Sequence, residues 1–150
     1  MRAMPLGVLN GLMTPRQIEI VEATVDGLDL SQLAADFYER ALAAEPELAR
    51  MFTTDWEVQQ VRFATELDAV VRLIRSHDEF VAAGRALGAR HRSYGVVAAH
   101  YRLMGDALMG ALADAMGPDW NDEVEEAWRL AYNLTAETMM SGARAPVSQP

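Results

Sequence analysis

The stretch Leu87-Gly88-Ala89-Arg90-His91-Arg92-Ser93-Tyr94-Gly95-Val96 carries a histidine where a helix would ordinarily place a hydrocarbon. Phe80, Gly84, Leu87 and His91 recur at the spacing of one helix face, apolar apart from His91. Ser76 and Asp78 open this helix and Tyr94-Gly95 closes it. One helix earlier, Trp56, Gln59, Phe63, Leu67, Val70 and Ile74 form a second stripe, and Gln59 is its polar member. His91 and Gln59 lie 32 positions apart (91 − 59) on consecutive helices. If these helices pack face to face, both side chains reach one cavity. Burying an imidazole and an amide without partners would cost on the order of 2 kcal/mol or more each. A metal ion in a flat apolar cofactor compensates both: it takes the imidazole nitrogen, and the amide faces a further ligand.

The flanking sequence reads with the same helical period. Thr14-Pro15-Arg16-Gln17 has a cap, a proline at the first helical position and a glutamine to complete a capping box. Ile18, Val21, Val25 and Leu28 follow as one stripe, broken at Gly27 and Asp29. Leu30, Leu33, Ala34, Phe37, Tyr38 and Leu42 share the next face. Glu45-Pro46 opens a short helical turn ending near Phe52, and Asp55 caps the helix of Gln59, which runs to about Ile74. Val97 to Met116 reads as a helix stopped by Gly117-Pro118. Asn121 caps the last one, whose inward residues are Val124, Trp128, Ala131 and Thr135. No stretch reads as a strand. The expectation is an all-α fold of six main helices and a short connector helix, with a folded unit over 14–141. An extension over 1–13 precedes it, and a flexible tail over 142–150 follows, because Gly142, Pro146 and Pro150 oppose a helix there.

Composition narrows the function classes. The 150 residues suit one domain. A formal net charge of −9 disfavours nucleic acid and anionic membrane, which both attract basic surfaces. With no cysteine, disulfides, thiolate metal sites and covalent haem attachment are excluded. The N-terminus makes a poor signal peptide and no apolar run reaches a membrane span, so a cytoplasmic location is expected. There is no glycine-rich phosphate loop, nucleophile elbow or His-Glu-x-x-His pattern. Glu66 and Asp68 fall on different helix faces and do not make a carboxylate pair.

The stretch from Leu87 to Val96, continued by His100-Tyr101 and Gly105, resembles the proximal segment of bacterial single-domain globins, relatives of the globin half of flavohaemoglobins. Asp36-Phe37-Tyr38-Glu39-Arg40, Pro46-Glu47-Leu48 and Met51-Phe52 are similar to that family's distal segment. Ala127-Trp128 with Ala131-Tyr132 is similar to its last helix. The resemblance spans roughly Leu12 to Met140. It implies a globin fold around a b-type haem, with His91 as the protein ligand to iron. By position it implies that Tyr38 supplies a distal hydroxyl to an oxygen ligand and Gln59 a distal amide beside it. Phe52 takes the place of the ring wedged against the haem face, Phe63 the apolar distal position, and Tyr101 that of a proximal tyrosine. Leu87 and Val96, within the proximal segment, are expected to touch the cofactor. Arg62 and Arg90 suit the haem propionates, because guanidinium matches carboxylate geometry. His100 is expected at a helix start and His77 at a solvated cap. The family's glutamate near the end of the last helix aligns with Ala145, which weakens the electron push that such a carboxylate gives the imidazole.

What the resemblance implies for function is reversible binding of oxygen and other diatomic ligands, for transport or storage. One alternative is nitric oxide dioxygenase activity, with electrons from a separate reductase. Another is a haem-based gas sensor or stress-response globin. The chain is expected as a monomer or homodimer.

Overall fold

The computed structural model describes residues 12–52 and 55–144. Among the described residues six α-helices can be followed from end to end: α1 (Pro15–Gly27), α2 (Leu30–Ala44), α3 (Trp56–Arg72), α4 (His77–Ser93), α5 (Ala98–Met116) and α6 (Asp122–Arg144). Two 3-10 turns, Pro46–Met51 and Gly117–Asp119, join α2 to α3 and α5 to α6. Among the described residues there is no strand.

The boundaries have local causes. At the start of α1 the Gln17 amide N–H donates to the Thr14 hydroxyl (3.0 Å), and the Thr14 N–H donates back to the Gln17 side chain (2.9 Å). The Asp29 carboxylate accepts the Ser31 and Gln32 N–H groups that open α2. Asp55 precedes α3 as expected, but its side chain makes no capping hydrogen bond. Gly95 (φ 98°) ends α4 and Gly117 (φ 57°) ends α5, both in the left-handed region that favours glycine. Asn121 accepts the Val124 N–H at the start of α6.

The first helix packs on α6, α2 crosses α5, and α3 lies against α2. The most extensive contact is between α4 and α6. It is close because glycine lies on both sides: a Cβ on Gly88 would overlap the Met139 backbone, and one on Gly142 would overlap that of Arg85. Ile18, Val21, Leu33, Leu48, Leu112 and Trp128 form the centre of the core. In contrast, α3 and α4 touch each other only sparsely.

Both ends of the folded unit differ from the sequence reading. Met13, expected in the N-terminal extension, is completely buried in the core. The last helix continues beyond 141 to Arg144. Its extra turn is held from α4: the Arg92 guanidinium donates to the Ala143 carbonyl (2.9 Å), and Gly142 seats against Arg85. Tertiary partners thus override the weak local propensity of Gly142. The rest of the extension (1–11) and of the tail (145–150), with Ala145, lies outside the described residues.

Candidate functional site

Where α4 draws close to α6 and away from α3, a predominantly apolar cavity opens. The two polar stripe residues both line it, Gln59 from α3 and His91 from α4. So do Tyr38 and Phe37 of α2, Phe52 after the 3-10 turn, Phe63 and Arg62 of α3, Leu87, Val96 and Tyr101. Of the ten residues expected at a cofactor, only Arg90 is not on the wall; its guanidinium lies 3.4 Å from the Glu66 carboxylate.

His91 stands one turn beyond Leu87 and is half-buried. Its Nδ1 lies 2.9 Å from the Leu87 carbonyl oxygen. A carbonyl only accepts, so Nδ1 carries the proton in the neutral ring and Nε2 keeps a lone pair. Nε2 makes no hydrogen bond among the described residues. Burial lowers the His91 pKa below its ordinary value, against the opposing pull of the Leu87 carbonyl and of Glu66. Near neutral pH the ring is therefore an uncharged, unused base, the state that a metal ligand requires.

On the α2 and α3 side the rings interlock. Phe37 stacks on Phe63 with centroids 4.4 Å apart, and Tyr38 meets Phe52 and Phe63 edge-on at 5.4 and 5.7 Å. The Gln59 side-chain amide donates to the Tyr38 hydroxyl at 3.1 Å. This bond uses an oxygen lone pair of Tyr38 and leaves the phenolic proton for another acceptor. Burial pushes the Tyr38 pKa up to about 12, with Gln59 pulling it partly back, so the hydroxyl stays protonated as a donor.

Among the described residues there is no cluster of three or more His, Asp or Glu groups that could hold a bare metal ion. The cavity offers a single imidazole. A metal that binds here must bring most of its ligands with it, inside an apolar frame that matches these walls. The residues fit a haem: a free Nε2, a protonated donor pair, aromatic and aliphatic walls, and Arg62 at the cavity without an ion-pair partner among the described residues. His100 is accounted for otherwise. Its Nδ1 accepts the Val97 N–H at 3.0 Å and caps α5. His77 begins α4 beside Asp78, at 3.1 Å.

Several wall residues escaped the sequence reading. Glu66 lies seven positions after Gln59, so the helical stripe itself pointed to it. Tyr94, read as a helix end, has its ring 5.9 Å from that of His91. Tyr132 donates to the Tyr101 backbone carbonyl from α6. Trp128 is 2% exposed, reaches the wall, and its indole N–H has no hydrogen-bond partner among the described residues. The last two depend on how α6 sits, which no spacing reveals.

The globin family profile matches residues 35–139. A flavohemoprotein of Deinococcus radiodurans is 33% identical over 135 residues, covering 86% of this chain and 33% of its own length. The chain thus spans about a third of the length of such curated relatives. Among solved structures, an engineered carbene transferase from Rhodothermus marinus, provisionally named after a nitric oxide dioxygenase, superposes with a TM-score of 0.78. It is 26% identical, over 87% of this chain and 92% of that one. A hexacoordinated heme protein from an anhydrobiotic tardigrade shares the fold, with a TM-score of 0.79 at 17% identity over 89% and 96% of the two chains.

Proposed function

The chain belongs to the globin family, a haem-binding family, and from that premise we propose that it binds oxygen and other diatomic ligands reversibly at a haem iron held by His91. Haem supplies a redox-active iron that takes one imidazole and one exchangeable ligand. The residues supply the rest. His91 offers Nε2, with its ring orientation set by the Leu87 carbonyl. Leu87, Val96, Tyr101 and Phe52 would enclose the macrocycle, and Phe63 would narrow the space left for a ligand. Arg62, at the cavity wall, would pair with the haem carboxylates. The protonated Tyr38 hydroxyl, held by Gln59, would donate to a ligand that gains negative charge, and the apolar walls would exclude water and free protons.

The single observation that carries this reading is the convergence on one apolar cavity of an unused imidazole nitrogen and a Gln59–Tyr38 donor pair from different helices. The test is a visible spectrum of the purified protein, with and without added haemin. A Soret band is expected, shifted by carbon monoxide in the reduced protein. No Soret band after haemin addition would defeat the proposal.

A second reading has support from the names of the relatives. The Rhodothermus protein is named after a nitric oxide dioxygenase, and the Deinococcus relative is a flavohemoprotein. This chain would then convert nitric oxide and oxygen to nitrate, drawing electrons from a reductase. Steady-state nitric oxide consumption by the 150-residue chain, with and without an added flavin reductase, distinguishes the two. Turnover that depends on the reductase supports the dioxygenase; oxygen binding without turnover supports the carrier.

A further inference from the structure

Two arginines, Arg62 and Arg90, have the same expected role in the sequence, but only Arg62 lines the cavity. The structure gives them different surroundings. Arg62 has no ion-pair partner among the described residues. Arg90 has its guanidinium 3.4 Å from the Glu66 carboxylate, and Glu66 is itself on the cavity wall with its side chain only 28% exposed. Glu66 belongs to α3, one helical turn beyond Arg62 and two beyond Gln59; Arg90 belongs to α4 and immediately precedes His91. The pair therefore ties the two walls that carry the donor amide and the imidazole. It does so between the two helices that otherwise touch only sparsely, whereas α4 is locked to α6 by close packing.

We infer that Glu66 and Arg90 form a strut across the rim of the haem cavity, which holds α3 against α4 and slows haem escape, while Arg62 alone serves the haem carboxylates. The inference rests on the haem reading above and goes beyond it by giving the carboxylate of Glu66 a retaining role. A haem that leaves must part the α3 and α4 walls, and the strut opposes that parting. Glu66 is also a poor neighbour for a haem carboxylate, because like charges repel. Its pairing with Arg90 neutralises it and occupies the guanidinium that would otherwise turn toward the haem.

The experiment measures haem loss from the loaded protein to an excess of a haem-free acceptor globin, for wild type, E66Q, R90Q, R62Q, the double variant E66Q/R90Q and the reversed pair E66R/R90E. Each variant is loaded once with ordinary haem and once with haem dimethyl ester, which has no carboxylates. E66Q and R90Q are expected to speed haem loss by about two- to fivefold, the range of a partly exposed ion pair. The double variant should lose haem no faster than either single one, and the reversed pair should restore most of the retention. These effects persist with the ester, whereas the R62Q effect is present only with ordinary haem. Far-UV circular dichroism of the haem-free variants checks that each one folds. The strut is overturned if E66Q leaves haem loss unchanged or slows it, or if the R90Q effect vanishes with the ester, because Arg90 would then be a carboxylate partner. Failure of wild type to take up haem would overturn the haem reading and the strut together. Normal loading with unchanged variants would overturn the strut alone.

Discussion

On the proposed function, a single proton at Tyr38 governs how strongly a ligand is held. Gln59 donates to the phenolic oxygen, and burial holds the pKa near 12, so the proton remains for a ligand. A hydrogen bond to a partly charged acceptor contributes about 1.5–3 kcal/mol, or roughly a ten- to hundredfold change in dissociation. Tyr38→Phe should speed oxygen release by that factor and carbon monoxide release far less, since carbon monoxide is the poorer acceptor. Gln59→Leu should act in the same direction but more weakly, and the double variant should be non-additive, because Gln59 acts partly through Tyr38. Stopped-flow dissociation from the reduced protein measures all three; equal oxygen release in wild type and Tyr38→Phe would make Tyr38 a core residue only. For the ligand nitrogen, His91→Ala should lose axial ligation, with partial recovery in free imidazole. His100→Ala should leave the spectrum intact and weaken only the α5 cap. His91 also predicts a pH dependence in the haem-free protein. Its folded pKa lies below the unfolded value of about 6.5. Its contribution is therefore full above that value and is lost as pH falls through the lower folded pKa, since the unfolded chain takes up the proton first. Melting curves of haem-free wild type and His91→Gln should converge in this window as pH drops. A constant gap between them would contradict it.

At the scale of elements, the site depends on how closely α4 lies on α6. Gly88 precedes His91 by about one turn, and a side chain there would meet the Met139 backbone, which cannot swing aside as a flexible side chain would. Gly88→Ala should therefore cost about 1–3 kcal/mol, the usual range for overpacking. It should also displace the turn that carries His91, so haem affinity should fall along with the melting temperature. A variant that melts normally and holds haem normally would show that α4 can slide on α6. The helices themselves were legible in the sequence. Caps at Thr14 and Asn121, the break at Asp29 and the stops at Gly95 and Gly117 are local chemistry, fixed within a few residues. The last turn of α6 was not legible, because Gly142 reads as a breaker until Arg85 and Arg92 are beside it.

For the whole molecule, the cavity is an opening beside the sparsely joined α3 and α4, which a haem would fill. A ligand that binds only the folded state stabilises it by about 4 kcal/mol at a thousand times its dissociation constant. For a chain of this size that corresponds to a rise in melting temperature on the order of 10 °C. Haem extraction should lower the melting temperature by about this amount, and re-addition should restore it; a haem-free protein as stable as the loaded one would show that the cavity needs no occupant. The sequence by itself determined the all-helical architecture, the two apolar stripes with their polar members Gln59 and His91, and the family that those motifs resemble. These are periodic or local signals, and a helix reports its own faces through the spacing of its residues. Only the tertiary structure decided that Arg90 faces Glu66, that Met13 belongs to the core, that Trp128 reaches the cavity, and that α4 seats on α6 rather than on α3. Each of these depends on the relative placement of helices far apart in the chain, and that placement is set by packing across a shared core, which leaves no period in any one of them.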